Sequence, residues 1–132
     1  MIYTSYFDNV KNILAKEPNA KLISIAGRTP ESIDCEKFKP LMPHYSWWKE
    51  WHDKFEGQLE SEESKNWYIK QYYTTILSGL VPLDVARRLK DLAEWKRPIF
   101  ILCYETSKRF CHRHLVAEWF RKAGIDCEEF VI

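Results

Sequence analysis

One uninterrupted apolar run, Ile99-Phe-Ile-Leu-Cys103, constrains the fold of this chain more than any other segment. A strand with no polar alternate positions has to be buried on both faces, which is the pattern of a parallel sheet covered by helices. The run stops at Tyr104-Glu105, and Cys111-His-Arg113 then opens an amphipathic segment. There His112, Leu115, Val116, Trp119, Phe120 and Ala123 share one face of a helix, and Gly124 suits the residue just past its end. Residues 127–131 read as a last strand. Strand, helix and strand predict a right-handed βαβ unit. Open sheets of this kind place ligands at the carboxyl ends of their strands, so Cys103, Glu105 and the Cys111-His-Arg113 triplet mark the end of the fold where function is expected.

The remaining elements follow from caps and breakers. Ile2 to Tyr6 reads as strand 1. Asp8 is the expected N-cap of a first helix carrying Val10, Ile13 and Leu14, which stops near Glu17 because Pro18 disfavours helix at the preceding residue. Leu22 to Ala26 reads as strand 2, and Ile99 to Cys103 as strand 3. Residues 27–45 contain three prolines and one glycine and read as a long loop, a length that in compact domains usually serves a function. From Ser46 the pattern turns helical, with Trp47, Trp48, Trp51 and Phe55 crowded to one side and Gly57 as the stop. Ser61-Glu-Glu-Ser64 begins a helix whose acidic first turn suits the dipole; it carries Trp67, Tyr68, Ile69, Tyr72, Tyr73, Ile76 and Leu77 and ends at Gly79. Pro82 at the first helical position begins another, running to about Trp95. The chain is thus expected to be a single α/β domain over 1–132, Rossmann-like, with a short, mostly parallel sheet flanked by helices and a helical insertion between strands 2 and 3.

Composition excludes several classes. The formal net charge is +1, without the basic excess that many phosphate contacts along a nucleic acid require, so long nucleic acid is not an expected partner. No apolar run reaches the ~20 residues needed to span a bilayer, and the N-terminus lacks a basic region followed by an apolar one. The expected location is cytoplasmic, and the four cysteines are expected to be thiols there. A homodimer is open, because the aromatic stripe over 67–77 suits either a core or an interface.

Three stretches resemble one known family. Ile2-Tyr-Thr-Ser5 is similar to its opening strand. Ile23-Ser-Ile-Ala-Gly-Arg28 stands where it has a strand ending in Asp-x-Arg. Leu102-Cys-Tyr-Glu105, Cys111-His-Arg113 and Val116-Ala-Glu-Trp119 resemble its C-terminal signature. The family is the bacterial and phage "domain of unknown function 488". The likeness covers both ends of the chain, and residues 30–95 match only loosely. The family's aspartate in the second element is here Ser24 or Ile25, while Arg28 is kept. The resemblance implies a compact α/β fold and supplies no activity.

Read physically, the strand ends gather a candidate site. Arg28 and Arg113, beside the free amides of a helix start, suit a phosphate or carboxylate. Thr4, Ser5, Cys103 and Glu105 end strands at the same crevice. Trp47 and Trp48, with Trp51 or Tyr45, are placed to cover a base or ring. The leading expectation is a protein that binds a small phosphorylated or nucleotide-like ligand, with Glu105 and Arg113 as a purely structural ion pair the competing reading. An alternative is an enzyme acting on such a ligand through Cys111, His112 and Glu105. The thiolate of Cys111 would be favoured by the helix start and its basic neighbours. A second alternative is a protein-interaction module using the aromatic surface of 45–77. Cys103 to Arg109 also fits the bare Cys-x5-Arg pattern of cysteine phosphatases, without the glycines that wrap amides around phosphate. No cofactor is expected. No metal is expected either: His112 and His114 stand about 200° apart around a helix, and no cysteine pair has zinc-site spacing.

Overall fold

The computed structural model describes residues 1–105 and 110–131. Its centre is the strand Ile99–Cys103, every residue of which is buried. In chain order the strands are β1 (Ile2–Tyr6), β2 (Lys21–Ser24), β3 (Glu36–Lys37), β4 (Ile99–Cys103) and β5 (Cys127–Glu129). They form one sheet in the order β3-β2-β4-β1-β5, and every pairing is parallel. The helices are α1 (Val10–Lys16), α2 (Tyr45–Lys54), α3 (Glu62–Thr75), α4 (Pro82–Leu92) and α5 (His112–Lys122). This is the expected Rossmann-like α/β architecture, with α2, α3 and α4 as the helical insertion after β2.

β4 alternates between two cores. Ile99 and Ile101 join Ile2, Ile23 and Ile25 against Trp47, Tyr72, Leu89 and Phe120 of helices α2 to α5. Phe100 and Leu102 face the other way, with Phe7, Ile13 and Phe130. Tyr3 stacks on the Phe100 ring at 4.9 Å there, and Phe130 meets Phe100 edge-on at 5.3 Å. A helix-covered sheet needs apolar residues on both faces of its central strand, and this segment supplies them at every position.

The topology fixes where a cleft can form. β1 connects through α1 to β2 on one side, whereas β4 connects through α5 to β5 on the other, and α1 and α5 pack on opposite faces. The sheet therefore reverses its winding between β4 and β1, and ligand crevices open outside strand carboxyl ends at such a point.

Several local expectations are corrected. Asp8 is not an N-cap: it lies inside a 3₁₀ turn, Phe7–Asn9, and α1 starts after it. The stretch 27–45 is not wholly loop. It contains β3, which pairs with β2, and a 3₁₀ turn over Lys39–Leu41. α4 ends at Leu92 rather than near Trp95, because Glu94 and Trp95 adopt left-handed φ values of 58° and 57°. The last strand ends at Glu129 rather than Val131 and pairs with β1, and α3 ends at Thr75 rather than Gly79, followed by a separate 3₁₀ turn over Leu77–Gly79. Other signals correspond to the structure: Ser61 caps α3 by accepting from the Ser64 amide at 3.1 Å, Pro82 opens α4, and Gly124 takes a φ of 80° just past α5. Among the described residues no helix is long and apolar enough to cross a membrane.

Candidate functional site

A cavity of about 930 Å³ opens at the carboxyl ends of β2 and β4, on the side covered by α2 and α3. Ala26, Gly27 and Arg28 extend into it from β2, and Cys103 to Glu105 from β4. Cys111 and His112 line it from the start of α5. α2 supplies the opposite wall, where Tyr45, Trp48 and His52 form a short aromatic stack: 6.2 Å between the Tyr45 and Trp48 centroids, 5.1 Å between Trp48 and His52. Helical spacing puts residues 48 and 52 on one face. Tyr45 is 71% exposed and Trp48 36%, so the wall keeps ring surface available.

The wall is held from behind. The Trp51 indole N–H donates to Ser64 Oγ of α3 at 2.9 Å. Trp47 points into the core, edge-on to Tyr68 at 5.1 Å. Trp47 is therefore a packing residue and not a cover for a ligand, a correction that follows from its place one residue off the exposed face of α2. The Tyr72 hydroxyl donates to the Leu41 carbonyl at 2.6 Å and pins the segment ahead of α2.

Arg113 is the largest departure from expectation. Its side chain is fully buried (0% exposed), and every guanidinium nitrogen is in use. Nε and Nη2 donate to the two Glu129 carboxylate oxygens at 3.1 and 2.9 Å. Nη1 donates to Cys103 Sγ at 3.0 Å and to the Glu105 carbonyl. The Tyr6 ring lies 5.7 Å from the guanidinium carbon. Arg113 thus joins the ends of β1, β4 and β5 and fills the switch-point crevice, leaving the cavity on the β2 side. The ion pair weighed for Glu105 and Arg113 is not the one formed: Arg113 reaches Glu105 through its backbone carbonyl, and its carboxylate partner is Glu129. Thr4 and Ser5 are likewise internal: Thr4 Oγ1 donates to Glu129 Oε1 at 2.6 Å, and Ser5 Oγ accepts from Asn9 at 3.0 Å. Arg28 differs from all of these, being exposed at the cavity lining.

The cavity floor holds the sulfur chemistry. Cys103 and Cys111 are joined by a disulfide bond, where four thiols were expected. Cys35 and Cys127 are free; burial raises both their pKa values, that of Cys127 to about 12. His112 is buried beside Cys111. Its Nε2 lies 2.7 Å from the Ile25 carbonyl oxygen. A carbonyl can only accept, so Nε2 carries the proton and the bare Nδ1 faces Cys111 Sγ at 3.6 Å. Burial lowers the His112 pKa to about 4, against the opposing effect of the Ile25 hydrogen bond and with a further lowering by Arg113. The imidazole is therefore neutral at ordinary pH, a satisfied histidine aimed at the sheet. Its neighbours are Cys111 and Ile25 rather than Glu105. The sulfurs of Cys103 and Cys111 and a ring nitrogen of His112 all lie within 4.8 Å of one another, a potential metal-ligand set. Arg109, and with it the Cys-x5-Arg match, lies outside the described residues.

Compared with protein-family models, with curated proteins and with solved structures, the chain gives no match.

Two consequences are measurable. Arg113→Met should lower stability by about 3–5 kcal/mol, since it leaves the Glu129 carboxylate without its partner; Arg113→Met/Glu129→Leu should recover a large part of that loss in urea unfolding, and an additive double variant would show that the pair is not coupled. The second concerns pH. His112 has a folded pKa near 4 against an ordinary value of 6.5, so the unfolded chain binds more protons between these limits. Its contribution is complete above pH 6.5 and declines toward pH 4, by up to about 3 kcal/mol. In metal-free buffer the wild type should lose stability across that window more steeply than His112→Asn; parallel slopes would contradict this assignment.

Proposed function

We propose that the chain is a cytosolic protein that binds a small ligand carrying both a planar ring and an anionic group, in the cavity at the ends of β2 and β4. The observation that carries this reading is the pairing, in one cavity, of an accessible aromatic stack with the exposed Arg28 guanidinium. The stack offers ring faces for a base-like moiety. Arg28 offers a bidentate donor to phosphate or carboxylate. The volume lies within the range of small-molecule sites, about 300–1,000 Å³, and its mixed apolar and polar lining is of the usual kind. Arg113 has no part in anion binding in this reading, since Glu129 already satisfies it.

Membership of the family named "domain of unknown function 488" is part of the proposal. It is supported by the clustering of Cys103, Glu105, Cys111 and His112, residues of its C-terminal signature, in the lining of one cavity.

The test is thermal unfolding across a panel of nucleotides, cyclic nucleotides and sugar phosphates. A ligand at ~100 times its dissociation constant adds about 2.7 kcal/mol of stability. At least one panel member should shift the wild type, and the shift should be much reduced in Arg28→Ala and Trp48→Ala. A flat panel on folded protein, or a shift indifferent to both substitutions, would remove the reading.

A second reading, a thiol-dependent enzyme acting on the same ligand, is favoured by one contact: Cys111 Sγ faces the unprotonated Nδ1 of His112 at 3.6 Å. After reduction, alkylation of Cys111 should then proceed well below an ordinary thiol pKa of about 8.5. A labelling profile centred at that value would count against an activated nucleophile.

A further inference from the structure

We propose that in the reduced protein Cys103, Cys111 and His112 bind one transition-metal ion of the zinc class, with its remaining coordination position open to the cavity. This site is independent of the ring-and-anion ligand reading, since it uses neither Arg28 nor the aromatic wall.

The donor set comes first. Two thiolates and one imidazole are the soft and borderline ligands that select zinc over magnesium or calcium. The three donor atoms already lie within 4.8 Å of one another. Around a tetrahedral ion with Zn–S of about 2.3 Å and Zn–N of about 2.0–2.1 Å, a sulfur and a nitrogen sit about 3.6 Å apart. Cys111 Sγ and His112 Nδ1 are 3.6 Å apart. The two cysteine Cα atoms are 7.3 Å apart, wider than the roughly 4.4–6.8 Å usual for a direct sulfur–sulfur link, a span that accommodates an ion between the sulfurs once that bond is opened.

The surroundings match what such a site needs. A metal-bound histidine is normally oriented by donating its other N–H to a carboxylate or a backbone carbonyl. His112 Nε2 does so to the Ile25 carbonyl at 2.7 Å, which leaves Nδ1 as the free lone pair. Arg113 Nη1 donates to Cys103 Sγ at 3.0 Å, the kind of N–H···S contact that fixes a thiolate ligand. Charge also balances. Two thiolates and a divalent ion sum to zero, and Arg113 is neutralised by Glu129, so no buried charge is left over. Three protein ligands beside a cavity are the arrangement that keeps a position open for water or substrate.

Loading requires two balanced steps. A phosphine reductant with one water opens the Cys103–Cys111 bond, giving two thiols and the phosphine oxide. The divalent ion then displaces one proton from each thiol.

The experiment uses the full chain, reduced with a phosphine, freed of it without oxygen, and titrated with Co²⁺. The expected result is one cobalt per chain, with thiolate-to-cobalt charge transfer in the near ultraviolet and strong tetrahedral d–d absorption in the visible. Zn²⁺ should abolish both, and loading should release two protons per ion. Cys111→Ser should lose the charge-transfer band, while Cys35→Ser/Cys127→Ser should keep it. Independently of any variant, Zn²⁺ should protect Cys103 and Cys111 of the wild type from alkylation, read by peptide mapping. Absence of the cobalt bands in folded, reduced protein overturns the proposal. So does survival of the bands in Cys111→Ser, or equal alkylation of Cys103 and Cys111 with and without Zn²⁺; the sulfur pair would then be a disulfide or dithiol only.

Discussion

A buried guanidinium holds the carboxyl ends of three strands together. Arg113 lies in the first turn of α5, where the helix dipole disfavours a cation, and it is wholly removed from water. Both costs are offset by the two-pronged contact with Glu129. That contact has structural reach, because Glu129 ends β5, a strand of only three residues. β5 pairs with β1 through Ile2, Tyr3 and Thr4, and the Thr4 hydroxyl closes the link by donating to the same carboxylate. Without the ion pair the short edge strand would depend on a few ladder hydrogen bonds and on Cys127 and Phe130 in the two cores. The ion pair also decides where a ligand can go. The crevice at which the winding reverses is occupied by protein, so the open space lies between β2, β4 and the helical insertion.

The insertion turns that space into a cavity. A sheet of five strands needs only α1 and α5 to connect its outer members, yet 61 residues, 38–98, are placed between β3 and β4. Their inner surface builds the larger core: Trp47, Tyr68, Tyr72 and Leu89 cover Ile23, Ile25 and Ile101. Their outer edge carries Tyr45, Trp48 and His52 to the cavity. One helix thus has two neighbouring tryptophans with opposite tasks, Trp47 as core and Trp48 as wall. Residues one position apart differ by about 100° around a helix, which is enough to separate them.

That division shows why some of the molecule can be read in its sequence and some cannot. β4 is legible because each residue is apolar and no other element needs that pattern. The start of α3 is legible because Ser61 and its acidic first turn are local signals, and Pro82 and Gly124 are local in the same sense. β3 is not, because Glu36 and Lys37 are both exposed and join the sheet by backbone pairing with β2 and a surface ion pair from Glu36 to Lys21, not by an apolar pattern. The end of α4 is not, because Glu94 and Trp95 take left-handed conformations without glycine. Site residues divide in the same way. The region around Cys103, Glu105 and Cys111-His-Arg113 follows from the end of an apolar strand. The internal role of Arg113 does not, since its partner Glu129 lies sixteen residues away in a strand whose register the sequence does not specify. The trio of Cys103, Cys111 and His112 shares that difficulty: its members come from a strand end and a helix start, at no spacing that resembles a metal motif. His52 carries a weak local signal, four residues after Trp48 on the same helical face.

The electrostatics of the cavity floor limit what its sulfurs can be. Arg113 and Glu129 neutralise each other, and the His112 imidazole is neutral because burial removes its proton at ordinary pH. Among the described residues no unpaired buried cation therefore adjoins the two sulfurs, although Arg113 can favour one thiolate through its contact with Cys103. Two bare thiolates would be an uncompensated pair of like charges in a poorly solvated place. The states that avoid this are a sulfur–sulfur bond, protonated thiols, and thiolates bound to a cation. Each leaves the Arg113–Glu129 pair intact, so the fold does not have to rearrange for the floor to change its chemistry. The bare Nδ1 of His112 is an acceptor toward a Cys111 thiol and a donor of electrons to a metal ion, and the Ile25 carbonyl holds it ready for either.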